Sequence, residues 1–113
     1  MEAQKRAMEA RINRIKKQLS ELGELRPGSL SEQYNVCGKE GCRCKADPPE
    51  KHGPYYQISF SRHGKSRSQF VRKEDLQKAK RQLKNYERLR DLVDQWIELS
   101  LELVSLEKHA RKG

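Results

Sequence analysis

The residues best suited to chemistry form one short run, Cys37-Gly38-Lys39-Glu40-Gly41-Cys42-Arg43-Cys44, followed by His52. The spacing is Cys-x4-Cys-x-Cys-x7-His. Three thiolates and one imidazole satisfy tetrahedral Zn2+. Gly38 and Gly41 allow the tight backbone turns that bring successive sulfurs together. Lys39, Arg43 and Lys45 offset the charge of three thiolates and favour the ionised form. The expected ligands are therefore Cys37, Cys42, Cys44 and His52, with Zn2+ as the cofactor.

Cys42-x-Cys44 is tighter than the usual gap of two to four residues, so the geometry is demanding. Two other readings stay open: a redox thiol switch set among cations, and cysteines with no chemical role. His63 is a substitute ligand, but it falls in an expected turn; His109 is expected at the surface. A catalytic zinc is not expected. Four protein ligands leave no open position, and no nearby carboxylate has an evident role as general base.

The elements that must position this run divide the chain into three zones and a tail. Residues 1–25 carry Met1, Met8, Ile12, Ile15, Leu19 and Leu22, one narrow apolar stripe on a helix with charged flanks. Gly23 and then Arg26-Pro27-Gly28 end that helix. Residues 26–73 hold all three cysteines. Strands are expected over 54–62 and 66–72, where Tyr56, Ile58 and Phe60 alternate with Tyr55, Gln57 and Ser59. His63-Gly64 suits the tight turn between them. Residues 34–73 are poor in apolar side chains, so metal binding is expected to staple them.

Residues 74–108 read as a long helix, with Glu74 and Asp75 at its N-terminus. One stripe is Leu76, Ala79, Leu83, Tyr86, Val93, Ile97 and Val104. A second is Leu89, Leu92, Trp96, Leu99, Leu103 and Leu106. The first helix can cover only one stripe, so self-association as a twofold dimer is expected through the second. Residues 109–113 read as a frayed basic tail.

Composition limits the function classes. The chain has 113 residues, of which 34% are hydrophobic and 36% charged. So thin an apolar supply disfavours a deep small-molecule pocket. No phosphate loop and no nucleophile–base pair are apparent, so an enzyme is not expected and no catalytic residue is assigned. No apolar run approaches the length that crosses a bilayer, and the N-terminus lacks a signal-peptide centre. The expected location is the cytoplasm, with no membrane partner.

The net charge of +9 favours anionic partners. Between Arg62 and Arg90 lie eleven Lys or Arg against three Asp or Glu, while Asp91 to Glu107 holds five acids and no base. The expected phosphate-binding set is Lys39, Arg43, Lys45, Arg62, Lys65, Arg67, Arg72, Lys73, Lys80, Arg81 and Lys84. Tyr55, on the outward strand parity, is the candidate for stacking on a base.

The string LRPGSLSEQYNVCGKEGCRCKADPPEKHGPYYQISFSRHGKSRSQFVRKEDL resembles a family of short, uncharacterised bacterial and archaeal proteins known only as a domain of unknown function. The resemblance rests on the Cys-Gly-Lys-x-x-Cys-x-Cys loop and the His-Gly-Pro-Tyr-Tyr element and spans roughly 25–106. It implies the same four zinc-finger-like ligands and a mobile-element setting, and supplies no function. The expected architecture is mainly α. A small β-hairpin zinc module sits between helices of an antiparallel two-helix coiled coil, which dimerises into a helical bundle. The expected function is nucleic-acid binding, DNA ahead of RNA. The competing expectation is a protein-interaction module, with a recombinase among its partners, using the zinc head or the apolar face of residues 89–106.

Overall fold

The computed structural model describes residues 2–35 and 52–112. Helix α1 (Glu2–Ser20) is followed by strands β1 (Ser29–Asn35), β2 (His52–Arg62) and β3 (Lys65–Val71). A 3-10 turn over Lys73–Asp75 leads into helix α2 (Leu76–Lys112). The strands form one antiparallel sheet in the order β1-β2-β3.

The expected fold class is corrected. The described chain is two helices plus a three-stranded antiparallel sheet, not a mainly α coiled coil carrying a hairpin. Nor is a zinc module part of it: among the described residues no group of three or more His, Cys, Asp or Glu could hold a metal ion. The physical reason lies in where the apolar residues go. The start of α2 covers a sheet, and only its later part packs on α1. β1 escapes a reading of the sequence because Ser29–Asn35 is polar apart from Leu30 and Tyr34. Its register on β2 places Leu30 opposite Ile58.

The chain divides into two compact units. The sheet unit, Arg26–Leu83, has its own core of Ile58, Val71 and Ala79, with Leu30, Tyr56 and Leu83 packed against it. Ile58 is 0% exposed. Apolar burial in this core contributes to the stability of the described sheet. β2 and β3 meet through a two-residue turn with positive φ at both His63 (53°) and Gly64 (76°). That backbone twist matches the twist of the flanking strands. Gly28 enters β1 at φ 130°, and a Cβ there would stand 2.7 Å from both Ile58 Cγ2 and the Ser59 carbonyl oxygen. Only glycine fits that approach.

The helical unit comprises Met1–Leu25 and Lys84–Gly113. Ile12 and Ile15 of α1 are buried with Leu92 and Leu99 of α2; Met8, Leu19, Leu22, Trp96 and Leu103 pack around them. Lys16 Nζ lies 5.2 Å from the centre of the Trp96 ring, a cation–π contact at the edge of this core. The Asn85 side-chain amide donates to the Glu24 carbonyl oxygen at 2.8 Å, tying the chain after α1 to α2.

Part of the second apolar stripe also finds cover within the chain. Leu92 and Leu99 are buried in this core, with Trp96 and Leu103 beside them. The apolar excess does exist, on other residues: Val93, Ile97, Leu101 and Val104 are exposed.

Candidate nucleic-acid interface

Pairing register decides what each face of the sheet presents. Residues directly opposed across strands share a face, and successive residues alternate. Tyr56, Ile58 and Val71 therefore lie on the face packed by Ala79 and Leu83 of α2. The opposite face carries the rows Ser29–Ser59–Ser68, Ser31–Gln57–Phe70 and Gln33–Tyr55, with Ser61–Ser66 toward the turn. No charged side chain occurs in those rows.

Hydrogen bonds order this open face. The Ser59 and Ser68 hydroxyls are 3.1 Å apart, and those of Ser61 and Ser66 are 3.0 Å apart. The Gln33 amide donates to the Gln57 side-chain oxygen, and the Ser31 hydroxyl donates to the Gln57 carbonyl oxygen at 3.3 Å. Two aromatic rings stand among these groups: Tyr55 is 42% exposed and Phe70 is 70% exposed.

Exposed cations lie along the hairpin and on α2. Arg62 and Lys65 pair across the end of the hairpin, and Arg67 lies opposite Phe60. Arg72 follows Val71 in extended backbone (φ −68°, ψ 149°), and Lys73 opens the 3-10 turn. Lys80 and Arg81 lie on the stretch of α2 within the sheet unit, and Lys84 on the stretch within the helical unit. All eight are exposed. Among the described residues, none of Arg62, Lys65, Arg67, Arg72, Lys73, Lys80, Arg81 or Lys84 is held in an ion pair. Arg26 differs, since its guanidinium donates to the Gln69 side-chain oxygen at 2.7 Å.

Other expected site residues fall elsewhere. Lys39, Arg43, Lys45, Cys37, Cys42 and Cys44 lie outside the described residues. His52 is the first residue of β2, paired in register with Asn35. Leu89 and Leu106, expected at a dimer interface, are half-buried on α2. Among the described residues, one group has a shifted pKa. The Glu32 carboxylate raises the Tyr34 phenol above its ordinary value by charge repulsion, and partial desolvation and a hydrogen bond to Glu32 at 3.4 Å add to it.

Phe70 is the candidate that a reading of the sequence misses. The signal was present: fixing the turn at His63-Gly64 also fixes the register, which sets Phe70 opposite Gln57 on the polar face. An exposed aromatic ring among serines and glutamine, on the same face as Tyr55, offers a second surface for stacking.

Fold and surface define a small α+β chain with a basic sheet unit, whose open sheet face is neutral and bears two aromatic rings. The chain belongs to the family described as Domain of unknown function (DUF6788), whose model matches residues 5–82. That span takes in α1 and stops early in α2, whereas the resemblance in the sequence ran from about 25 to 106. No curated protein and no solved structure matches the chain. No described helix is long and apolar enough to cross a membrane.

Proposed function

We propose that this protein binds nucleic acid through the cations of its sheet unit, as a binding protein in the cytoplasm rather than an enzyme. The observation that carries the reading is that Arg62, Lys65, Arg67, Arg72, Lys73, Lys80 and Arg81 are exposed and, among the described residues, held in no ion pair. A cation with no carboxylate partner is available to displace counterions from a phosphate chain, and phosphate contacts dominate such affinity. Binding is therefore expected to weaken steeply with salt.

The test is retention of labelled nucleic acid across a salt series, by the wild type and by the double variant Arg67→Glu/Arg72→Glu. The variant should lose binding at every salt concentration. Equal binding by variant and wild type would refute the assigned surface.

A second reading is a self-associating interaction module. Its support is the exposed apolar stripe of Val93, Ile97, Leu101 and Val104 on α2. A second copy of the chain is the proposed occupant. Light scattering of the wild type and of Ile97→Glu decides it: a dimer that Ile97→Glu dissociates supports self-association, and a monomer across the concentration range refutes it.

A further inference from the structure

We infer that the open face of the sheet takes unpaired bases, stacked on Tyr55 and Phe70, so that the substrate class is single-stranded nucleic acid. This deepens the nucleic-acid reading and rests on it.

The geometry begins with the register. Gln57 lies opposite Phe70, and Tyr55 is two residues from Gln57 on the same strand and face. Tyr55 and Phe70 are thus diagonal neighbours on adjacent strands, a relation that separates side chains by about 7–8 Å. Two rings at that spacing on one flat face can each hold one base of a splayed strand. A base still paired within a duplex offers only its edges, so stacking on a side chain selects unpaired bases.

The surroundings suit that occupant. Around the rings the face offers hydroxyls and amides: Ser31, Ser59, Ser68, Gln33 and Gln57. These neutral donors and acceptors match the edges of bases. The phosphate chain needs the opposite, and Arg62 and Lys65 follow the Ser61–Ser66 row at the turn end of the hairpin. Arg72 follows Val71, the partner of Tyr56, in extended backbone just past the other end of β3. An apolar protein partner would be poorly served, since buried hydroxyls and amides on the same face would need matching polar groups. The combination of neutral polar floor, two exposed rings and cationic margin is complementary to bases carried on a phosphate backbone.

The test compares four labelled probes of equal length: oligo-dT, oligo-rU, and a DNA and an RNA duplex of mixed sequence. The proteins are the full chain and the variants Phe70→Ala, Tyr55→Ala and Phe70→Trp. Phe70 is so exposed that Phe70→Ala should keep the wild-type circular dichroism and unfolding midpoint. One stacked base contributes about 1–3 kcal/mol. Each alanine variant should therefore bind the single strands about 5- to 150-fold more weakly, with duplex binding changed less than about twofold. Phe70→Trp should keep the affinity. Comparing oligo-dT with oligo-rU tells which single strand is preferred.

If no probe is retained at low salt, the nucleic-acid reading itself fails, and this inference with it. If probes are retained, but Phe70→Ala and Tyr55→Ala bind single strands as the wild type does, this inference alone is overturned. The cationic surface then stands as a duplex or backbone contact, and the open face belongs to some other partner.

Discussion

Replacing Leu92 by alanine removes the most buried side chain in the helical core. Leu92 is 1% exposed and packs with Ile12, Ile15 and Leu99, so its lost methyl groups leave a cavity walled by two helices. Buried Leu→Ala changes cost about 2–5 kcal/mol, and a site closed on both sides belongs near the middle, about 3 kcal/mol. Ile97 is five residues further along the same helix and 51% exposed. Ile97→Ala gives up little burial, and alanine's higher helix propensity offsets part of it, so the loss should stay under about 1 kcal/mol. The assay is urea unfolding followed by far-ultraviolet circular dichroism. With slopes of about 1–3 kcal/mol per molar urea, Leu92→Ala should lower the midpoint by about 1–3 M. The shift should be the same at a tenfold lower protein concentration, because the core lies within one chain. Comparable losses for Leu92→Ala and Ile97→Ala would refute the assignment of the two stripes.

Three further outcomes follow from particular residues. Gly28→Ala should destabilise the sheet unit by about 3 kcal/mol, combining a left-handed backbone conformation with overpacking against Ile58 and the Ser59 carbonyl; an unchanged midpoint in thermal unfolding would contradict the close approach. Tyr34 should titrate above the ordinary phenol value of about 10 in a spectrophotometric titration, and Glu32→Gln should bring it back down; since the folded chain holds this proton more tightly than the unfolded one, the linked stability is present below about pH 10 and is lost as pH rises through the folded value. Cys42→Ser should leave strand amide protection intact, because the described sheet core is apolar, while zinc content measured on wild type and variant reports separately on the donor set Cys37, Cys42, Cys44 and His52; collapse of the sheet in Cys42→Ser would show that the metal, not Ile58, Val71 and Ala79, holds the strands.

The legible parts of the sequence were those with a strict period. The stripe of Ile12, Ile15 and Leu19 and the alternation at Tyr56, Ile58 and Phe60 each announce one buried face, and those faces are buried in the fold. Less legible was the partner of each face. A stripe states that it needs cover and not what supplies it, so the start of α2 could not be assigned to a sheet while β1 went unseen. β1 is held by pairing and by one leucine, a signal too weak to stand out from loop. The cationic surface could be read from charge alone, since exposed lysine and arginine need no partner. Phe70 could not be placed until the hairpin register gave it a side.

The two connections of the sheet differ in a way that bears on how the fold forms and varies. β2 and β3 are joined through His63 and Gly64, and their closest pair, Arg62 with Lys65, is three positions apart. β1 meets β2 across a longer separation, its nearest pair, Asn35 with His52, being 17 positions apart. Hairpins close on a scale of about 1–10 μs, and pairings distant in sequence cost more chain entropy before contacts repay it. β2 and β3 should therefore zip first and offer β1 a template. The short turn also fixes the rows: one residue added to it would shift every row of the open face.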